Sequence, residues 1–126
     1  MAHGTARIGR DKYRTEIEVG GRALVADEPL ALGGQGAGFA PYDLLLASLG
    51  ACTAITLRMY ADRKGWPLEA LEVDLRLHGA EERRIDRTLT ITGLDDEQKA
   101  RLADIAERTP VTLTLKNGLP IDTRLG

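Results

Sequence analysis

The chain has 126 residues, a common size for one domain, and we predict a single domain over residues 1–126. Apolar residues make up 43% of the chain but aromatic residues only 4%, so the core must be built from aliphatic side chains. The 17 basic and 19 acidic residues are well mixed, and the net charge of −2 gives no long-range field for nucleic acid or anionic lipid. We therefore expect no nucleic-acid partner.

The remaining features of the composition indicate a cytoplasmic protein. The first residues contain no apolar run of the kind found in secretory signals. The longest apolar stretch, residues 44–57, is too short to span a membrane and is interrupted by polar residues. A single cysteine, Cys52, cannot form an internal disulfide, and it lies far in sequence from His3 and His78. We predict no membrane association, no metal site and no cofactor.

The N-terminal part predicts a β-hairpin followed by a flexible segment. Residues 14–29 contain two short strand-like runs around Gly20-Gly21, which is a hairpin signal. Residues 32–41 are rich in glycine but match neither a phosphate loop nor a dinucleotide-binding pattern. This segment is interpreted either as a connector or as a mobile lip over a pocket.

A long helix is predicted from Pro41 to a C-terminal cap at Gly65. Asp43 lies in the first turn, where a negative charge favours the helix dipole. Residues 44–57 are apolar or small on nearly every face, a pattern typical of a helix that is buried all round. A chain of this size has few elements to cover such a helix. We therefore expect a homodimer in which a partner subunit covers one face.

The C-terminal half predicts two strands, a helix and a hairpin. Residues 71–78 and 84–93 alternate between apolar and polar side chains, as half-buried strands do. Residues 94–109 form an amphipathic pattern, with Asp95 and Gln98 at capping positions. Two alternating runs in residues 111–125 flank Asn117-Gly118 and predict a C-terminal β-hairpin. The order of elements indicates an α+β fold.

Several segments resemble one known family. They include "VADEP" at 25–29, "PYDLLLASLGACTA" at 41–54, "RMYADRKGWPL" at 58–68 and "AERTPVT" at 106–112. They are similar to the OsmC/Ohr superfamily, the osmotically inducible protein C and organic hydroperoxide resistance proteins. The resemblance implies an OsmC-like fold in an intertwined homodimer, with two long central helices between sheets built from both chains. It also implies a role in oxidative-stress defence as a thiol peroxidase acting on organic hydroperoxides.

The resemblance carries over to only one of the family's two cysteines. In that family a cysteine on the central helix attacks the peroxide, and a second one, in a Cys-Pro pair, resolves the product as a disulfide. Cys52 matches the first position, but Thr109 stands before Pro110 at the second. A hydroxyl cannot form a disulfide, so the two-cysteine cycle is unavailable to this chain.

The family also implies a carboxylate and an arginine that hold the attacking thiolate. Asp43 stands where a related subgroup has glutamate, and Arg22 is the candidate for the arginine. On a straight helix Asp43 lies about 13 Å from Cys52 along the axis and on the opposite face. It would reach the thiol only from a bent helix start or from the partner chain. Otherwise Asp43 serves the helix N-terminus.

Two functions stay open at this point. In the first, Cys52 works alone as a thiol-dependent organic hydroperoxide reductase, and an external thiol reduces its sulfenic acid. In the second, the protein is a non-catalytic homodimer that binds a small apolar ligand. In that case Cys52 is a small hydrophobic residue of the core.

Overall fold

The computed structural model describes residues 2–126 and has a mixed α+β architecture. Its contacts divide the chain into two compact units, one ending at Leu45 and the other comprising Leu46–Gly126. The first unit contains a three-stranded antiparallel sheet in the order β1-β2-β3. Its strands are β1 (Gly4–Ile8), β2 (Thr15–Val19) and β3 (Arg22–Ala26).

The predicted hairpin around Gly20-Gly21 is confirmed. Val19 pairs with Arg22, and both glycines have positive φ, as a two-residue turn between twisted strands requires. The sequence did not predict β1, because Gly4–Ile8 has no clear alternation of apolar and polar residues. It becomes a strand through its pairing with β2.

A buried carboxylate organises the loops of the first unit. Asp27 is only 3% exposed. Its Oδ1 accepts hydrogen bonds from the backbone N–H groups of Tyr13 and Glu28, and its Oδ2 accepts them from those of Gln35 and Ala37. Burial by itself raises the pKa of this carboxyl, but the four N–H donors together lower it below its ordinary value. Through Gln35 and Ala37, the glycine-rich segment is therefore hydrogen-bonded to the Asp27 carboxylate.

The long helix α1 runs from Pro41 to Lys64, and its predicted end is confirmed. The N–H of Gly65, whose φ is +69°, donates to the Asp62 carbonyl, and the N–H of Trp66 donates to the Ala61 carbonyl. These two bonds form a Schellman cap, which needs a residue with positive φ at this position. The cap turns the chain towards the next strand.

The second unit builds its core between α1, a two-stranded sheet and α2. Strands β4 (Ala70–His78) and β5 (Arg84–Thr92) are antiparallel, and α2 spans Asp96–Ala106. The predicted capping box between Asp95 and Gln98 is present at the start of α2. The fully buried residues of this core are Leu57, Leu102 and Ala106.

The predicted C-terminal β-hairpin over residues 111–125 is wrong. Pro110–Asn117 form helix α3, and residues 118–126 contain no strand. Pro110 suits a first helical turn, where a missing N–H is no loss. Gly118, with a φ of 74°, ends the helix instead of forming a hairpin turn. Alternating valine, leucine and threonine is compatible with either structure, so the local pattern could not decide.

Within its own chain, α1 is buried along one stripe. Its buried residues are spaced four apart, at Leu49, Thr53, Leu57 and Ala61, whereas side chains on other faces, such as Ile55, are exposed. By length and composition alone α1 could cross a membrane, a test that the core helix of a soluble protein also passes. The absence of a membrane span therefore stays a prediction.

Candidate active site

The thiol of Cys52 lies midway along α1 and is half-buried. Its Sγ is 4.0 Å from the Oγ1 of Thr56, one turn further along the helix. The backbone N–H of Val111 donates to the same sulfur at 3.5 Å. The Cys52 sulfur therefore accepts a hydrogen bond from a residue that lies 59 positions away in the sequence.

The donor comes from the first turn of α3. Thr109 is the N-cap of this helix, Pro110 follows as its first residue and Val111 is the second. N–H groups in a first turn have no acceptor inside their own helix, so they are free to bind an outside group. Such groups also carry the positive end of the helix dipole, which favours negative charge on the atom they face. The arrangement suits a sulfur that carries negative charge.

A largely buried guanidinium lies beside this contact. The Arg87 side chain, on β5, is only 12% exposed. Its Nη1 donates to the Oγ1 of Thr53 at 3.0 Å and to the Oγ1 of Thr112 at 2.9 Å. Its Nη2 donates to the Ala106 carbonyl at 2.7 Å and to the Glu107 carboxylate at 3.2 Å. One side chain thus links β5, α1, α3 and the end of α2.

Three buried threonines complete the polar cluster. The Thr53 hydroxyl donates to the Leu49 carbonyl at 2.7 Å. The Thr109 and Thr112 hydroxyls lie 2.6 Å apart, and the Thr112 hydroxyl also contacts the Ala106 carbonyl. Each hydroxyl therefore has a partner, and Thr109 is an ordered part of the second unit.

An open cavity of about 860 Å³ lies next to this cluster in the second unit. Its walls combine aliphatic side chains, such as Leu49, Ile85, Leu89 and Leu115, with charged and polar ones, such as Arg84, Asp86, Arg87 and Thr112. A cavity of this size can hold a small organic molecule. Its mixed lining suits a ligand that has both apolar and polar parts.

Asp43 and Arg22, the other two predicted site residues, have different surroundings. The Asp43 carboxylate accepts a hydrogen bond from the backbone N–H of Ala40 at 3.2 Å, at the start of α1. This contact is the one expected for a carboxylate that serves the helix N-terminus. Arg22 is exposed at the start of β3. A role of Asp43 or Arg22 in catalysis stays a prediction.

Sequence reasoning missed Arg87, Thr53, Thr112 and the Val111 amide. One signal was available for Arg87, because it occupies an inward position of β5 between Ile85 and Leu89. A charged residue in the apolar phase of an alternating strand indicates a buried polar contact. The partners could not be identified from the sequence. Among residues 2–126, no group of three or more His, Cys, Asp or Glu side chains is placed to hold a metal ion.

Comparison with known proteins gives one clear family. The model of the family described as OsmC-like protein matches residues 34–124. No curated protein sequence matches the chain. Among solved structures, the organic hydroperoxide resistance protein OhrB of Bacillus subtilis is 26% identical, with a TM-score of 0.63 over 93% of this chain and 92% of that chain.

Two further structures have the same fold. The organic hydroperoxide resistance protein OsmC of Legionella pneumophila is 25% identical, with a TM-score of 0.67 over 92% of this chain and 89% of that chain. An OsmC-like protein of Mycoplasma pneumoniae is 17% identical, with a TM-score of 0.74 over 92% of this chain and 87% of that chain. The family match covers the central cysteine helix, α2 and α3, and the fold agrees over nearly the whole length, so the chain belongs to the OsmC-like protein family.

Proposed function

We propose that this protein is a thiol-dependent organic hydroperoxide reductase with Cys52 as its only redox cysteine. The observation that carries the proposal is the Val111 N–H, which points from the start of α3 to the Cys52 sulfur at 3.5 Å. The thiolate is the nucleophilic form of cysteine, and a fixed donor favours charge on sulfur. Membership of a family with hydroperoxide resistance proteins among its solved structures supports the same chemistry.

The reaction proceeds in two balanced steps. The Cys52 thiolate attacks one oxygen of the hydroperoxide, the O–O bond breaks, and the alkoxide leaves and takes up a proton as an alcohol. Cys52 is then a sulfenic acid, oxidised by two electrons. A first external thiol displaces water to form a mixed disulfide, and a second external thiol releases Cys52 as a thiol. The two external thiols leave as a disulfide.

The reductant has to reach Cys52 directly. Thr109 offers no thiol to carry the oxidation to the surface, and Cys52 itself is half-buried. Small dithiols such as dithiothreitol or dihydrolipoamide should therefore support turnover better than protein reductants that attack an exposed disulfide. Organic hydroperoxides should be preferred to hydrogen peroxide, because burial of each methylene contributes about 0.8 kcal/mol.

The experiment compares the wild type with Cys52→Ser in dithiothreitol and cumene hydroperoxide. Ser48→Ala is the matched control, because Ser48 is an exposed hydroxyl residue on the same helix. Wild type and Ser48→Ala should consume the hydroperoxide, and Cys52→Ser should not. Dimedone should label Cys52 after treatment with hydroperoxide, as detected by mass spectrometry. Equal, slow consumption by all three proteins would reject the enzyme hypothesis.

A second cysteine introduced by mutation tests the positional match of Thr109. Thr109 lies two residues before Val111, whose N–H contacts the sulfur. Thr109→Cys should therefore form a disulfide with Cys52 in one chain after peroxide treatment, provided that the Cα atoms lie about 4.4–6.8 Å apart. If both thiols remain free, or pair only between molecules, the assignment of Thr109 to the second cysteine position is wrong.

We also propose that the protein works as a homodimer. Along α1 the chain covers only the stripe from Leu49 to Ala61, while Ile55 and Met59 are more than half exposed. A second copy of α1 with the same exposed side chains would bury this apolar surface. Light scattering at micromolar concentration should give about twice the chain mass of 13.7 kDa. A stable, folded monomer would contradict the proposal.

The aliphatic part of the cavity wall favours one alternative, a non-catalytic protein that binds a small apolar ligand. Leu49, Leu89 and Leu115 line this cavity beside the polar cluster. If hydroperoxide consumption does not depend on Cys52, but an apolar fluorescent probe binds wild type and Cys52→Ser equally, ligand binding becomes the better account. Probe binding that is lost with Leu89→Gln would assign it to this cavity.

A further inference from the structure

Arg87 occupies a position that the strand pattern reserves for an apolar residue. Its neighbours on the inward face of β5 are Ile85 and Leu89, and its own side chain is only 12% exposed. Taking a guanidinium out of water is costly unless its N–H groups find acceptors. Four acceptors surround Arg87, so the site is built around this one charge.

The Arg87 Nη1 group binds the two residues that come next in sequence after Cys52 and Val111, which make the thiol contact. Cys52 and Val111 make the contact between the sulfur and the amide. Thr53 follows Cys52, Thr112 follows Val111, and Nη1 bridges the two hydroxyls at 3.0 and 2.9 Å. The bridge therefore spans the same two helices one residue further along each. Its length fixes the separation of α1 and α3 beside the sulfur.

The second half of the guanidinium anchors the bridge. Nη2 donates to the Ala106 carbonyl at the end of α2 and to the Glu107 carboxylate. A cation at a helix C-terminus faces the negative end of the dipole. The planar fork of arginine can serve both pairs of acceptors at once, whereas a lysine ammonium has no such geometry.

We propose that Arg87 is a positioning residue that holds the start of α3 against α1, so that the Val111 N–H stays directed at the Cys52 sulfur. This inference rests on the proposed function, in which Cys52 reacts as a thiolate. Donors that are fixed in advance stabilise charge better than donors that must reorganise. Because Thr109 stands where the family has a second cysteine, no disulfide can join Cys52 on α1 to the start of α3. The Arg87 bridge links these two helices without a covalent bond.

The test measures the rate at which iodoacetamide alkylates Cys52 in the folded protein at pH 7. This small neutral reagent reports on the reactivity of the sulfur without requiring hydroperoxide turnover. Arg87→Met should lower the second-order rate constant about tenfold, the effect of losing a hydrogen bond to a charged group. Arg76→Gln is the control, since Arg76 is exposed and forms a surface ion pair with Asp74. It should stay within about twofold of wild type, because surface pairs contribute little.

A pair of variants at Thr112 separates positioning from general stability. Thr112→Val removes the acceptor on α3 and should lower the alkylation rate about threefold or more, whereas Thr112→Ser keeps the hydroxyl and should retain the rate. A purely structural role would lower the unfolding midpoint and leave the alkylation of the folded protein unchanged. This pair decides the question even if Arg87→Met does not fold.

The outcomes distinguish this proposal from the proposed function. An unchanged or increased alkylation rate in folded Arg87→Met, or equal rates for Thr112→Val and Thr112→Ser, would overturn the positioning role. Normal hydroperoxide turnover in Arg87→Met would also overturn it while leaving the proposed function intact. If alkylation follows Arg87 but wild type consumes no hydroperoxide, the positioning role stands and the proposed function fails.

Discussion

Each of the two compact units holds a charged side chain largely out of water, Asp27 in the first and Arg87 in the second, and the two are bound in different ways. In the first unit, the Asp27 carboxylate accepts four hydrogen bonds, all from backbone N–H groups of loops. In the second unit, the Arg87 guanidinium donates to two threonine hydroxyls, a carbonyl and a carboxylate. The Asp27 carboxylate therefore binds main-chain groups, whereas three of the four acceptors of Arg87 are side chains.

Asp27 and Arg87 also differ in whether their hydrogen-bond partners keep other bonds when the charged side chain is removed. The N–H groups that bind Asp27 belong to loops and would lose their acceptor. The partners of Arg87 keep other bonds, because Thr53 also contacts the Leu49 carbonyl and Thr112 also contacts Thr109. Removal of Asp27 ends four hydrogen bonds to one buried carboxylate at once, and hydrogen bonds to a charged group are among the stronger ones. Asp27 should therefore matter most for stability, and Arg87 for position.

The largest effect is expected for Asp27→Ala. Removal of the carboxylate leaves four loop N–H groups without their acceptor, so the midpoint of thermal unfolding should fall by about 10 °C or more. Circular dichroism would measure this midpoint. Asp11→Ala is the matched control, because Asp11 is an exposed residue in a loop of the same unit, and it should leave the midpoint unchanged. A midpoint for Asp27→Ala equal to that of the control would show that the loops do not depend on the charge.

The second effect is a dependence of the free energy of unfolding on pH that Asp27 should produce. Because the folded state lowers the pKa of Asp27, its contribution is fully present above the unfolded-state pKa of about 3.9 and is lost as the pH falls through the folded-state pKa. Urea unfolding should therefore show a gap between wild type and Asp27→Asn at pH 7 that narrows below about pH 4.

A control is needed because a second carboxyl shifts in the same direction. Hydrogen bonding to Arg108 lowers the pKa of Asp104, an exposed residue of α2. Asp104→Asn should differ little from wild type at any pH, since exposed ion pairs are screened by solvent. If the gap between wild type and Asp27→Asn stays constant from pH 7 to pH 3, the assigned source of the pH dependence is wrong.

A smaller loss of stability is expected for Arg87→Met. The change removes four hydrogen bonds but also the cost of burying a charge, and methionine matches the apolar phase of β5. Urea unfolding should show a loss of about 1–2 kcal/mol in the free energy of unfolding. A loss greater than that of Asp27→Ala would reverse the comparison and make Arg87 mainly a stability residue.

The smallest effect is the coupling between Arg87 and Thr53. A double-mutant cycle of Arg87→Met and Thr53→Val should give an interaction energy of about 0.5–1 kcal/mol, because the two side chains share one hydrogen bond. The same cycle with Arg76→Gln in place of Arg87→Met should be additive. Additivity in both cycles would mean that the contact between Arg87 and Thr53 adds nothing to stability.

The parts of the fold that the sequence determined depend on short-range chemistry. The turn at Gly20-Gly21, the cap at Gly65 and the capping box at Asp95 each require particular residues within a few positions of one another. The alternation of β4 and β5 likewise fixes which side chains face inward. The family motif around Cys52 was also visible in the sequence.

Only the tertiary structure decided the C-terminal helix and the surroundings of the thiol. The run after Pro110 is compatible with a strand or a helix, and the burial of Thr112 beside Arg87 accompanies the helix. The contact of Cys52 with Val111 joins residues 59 apart, and the contacts of Arg87 with Thr53 and Thr112 join residues 34 and 25 apart. No local pattern encodes such pairs, because they form only when separately folded elements pack together.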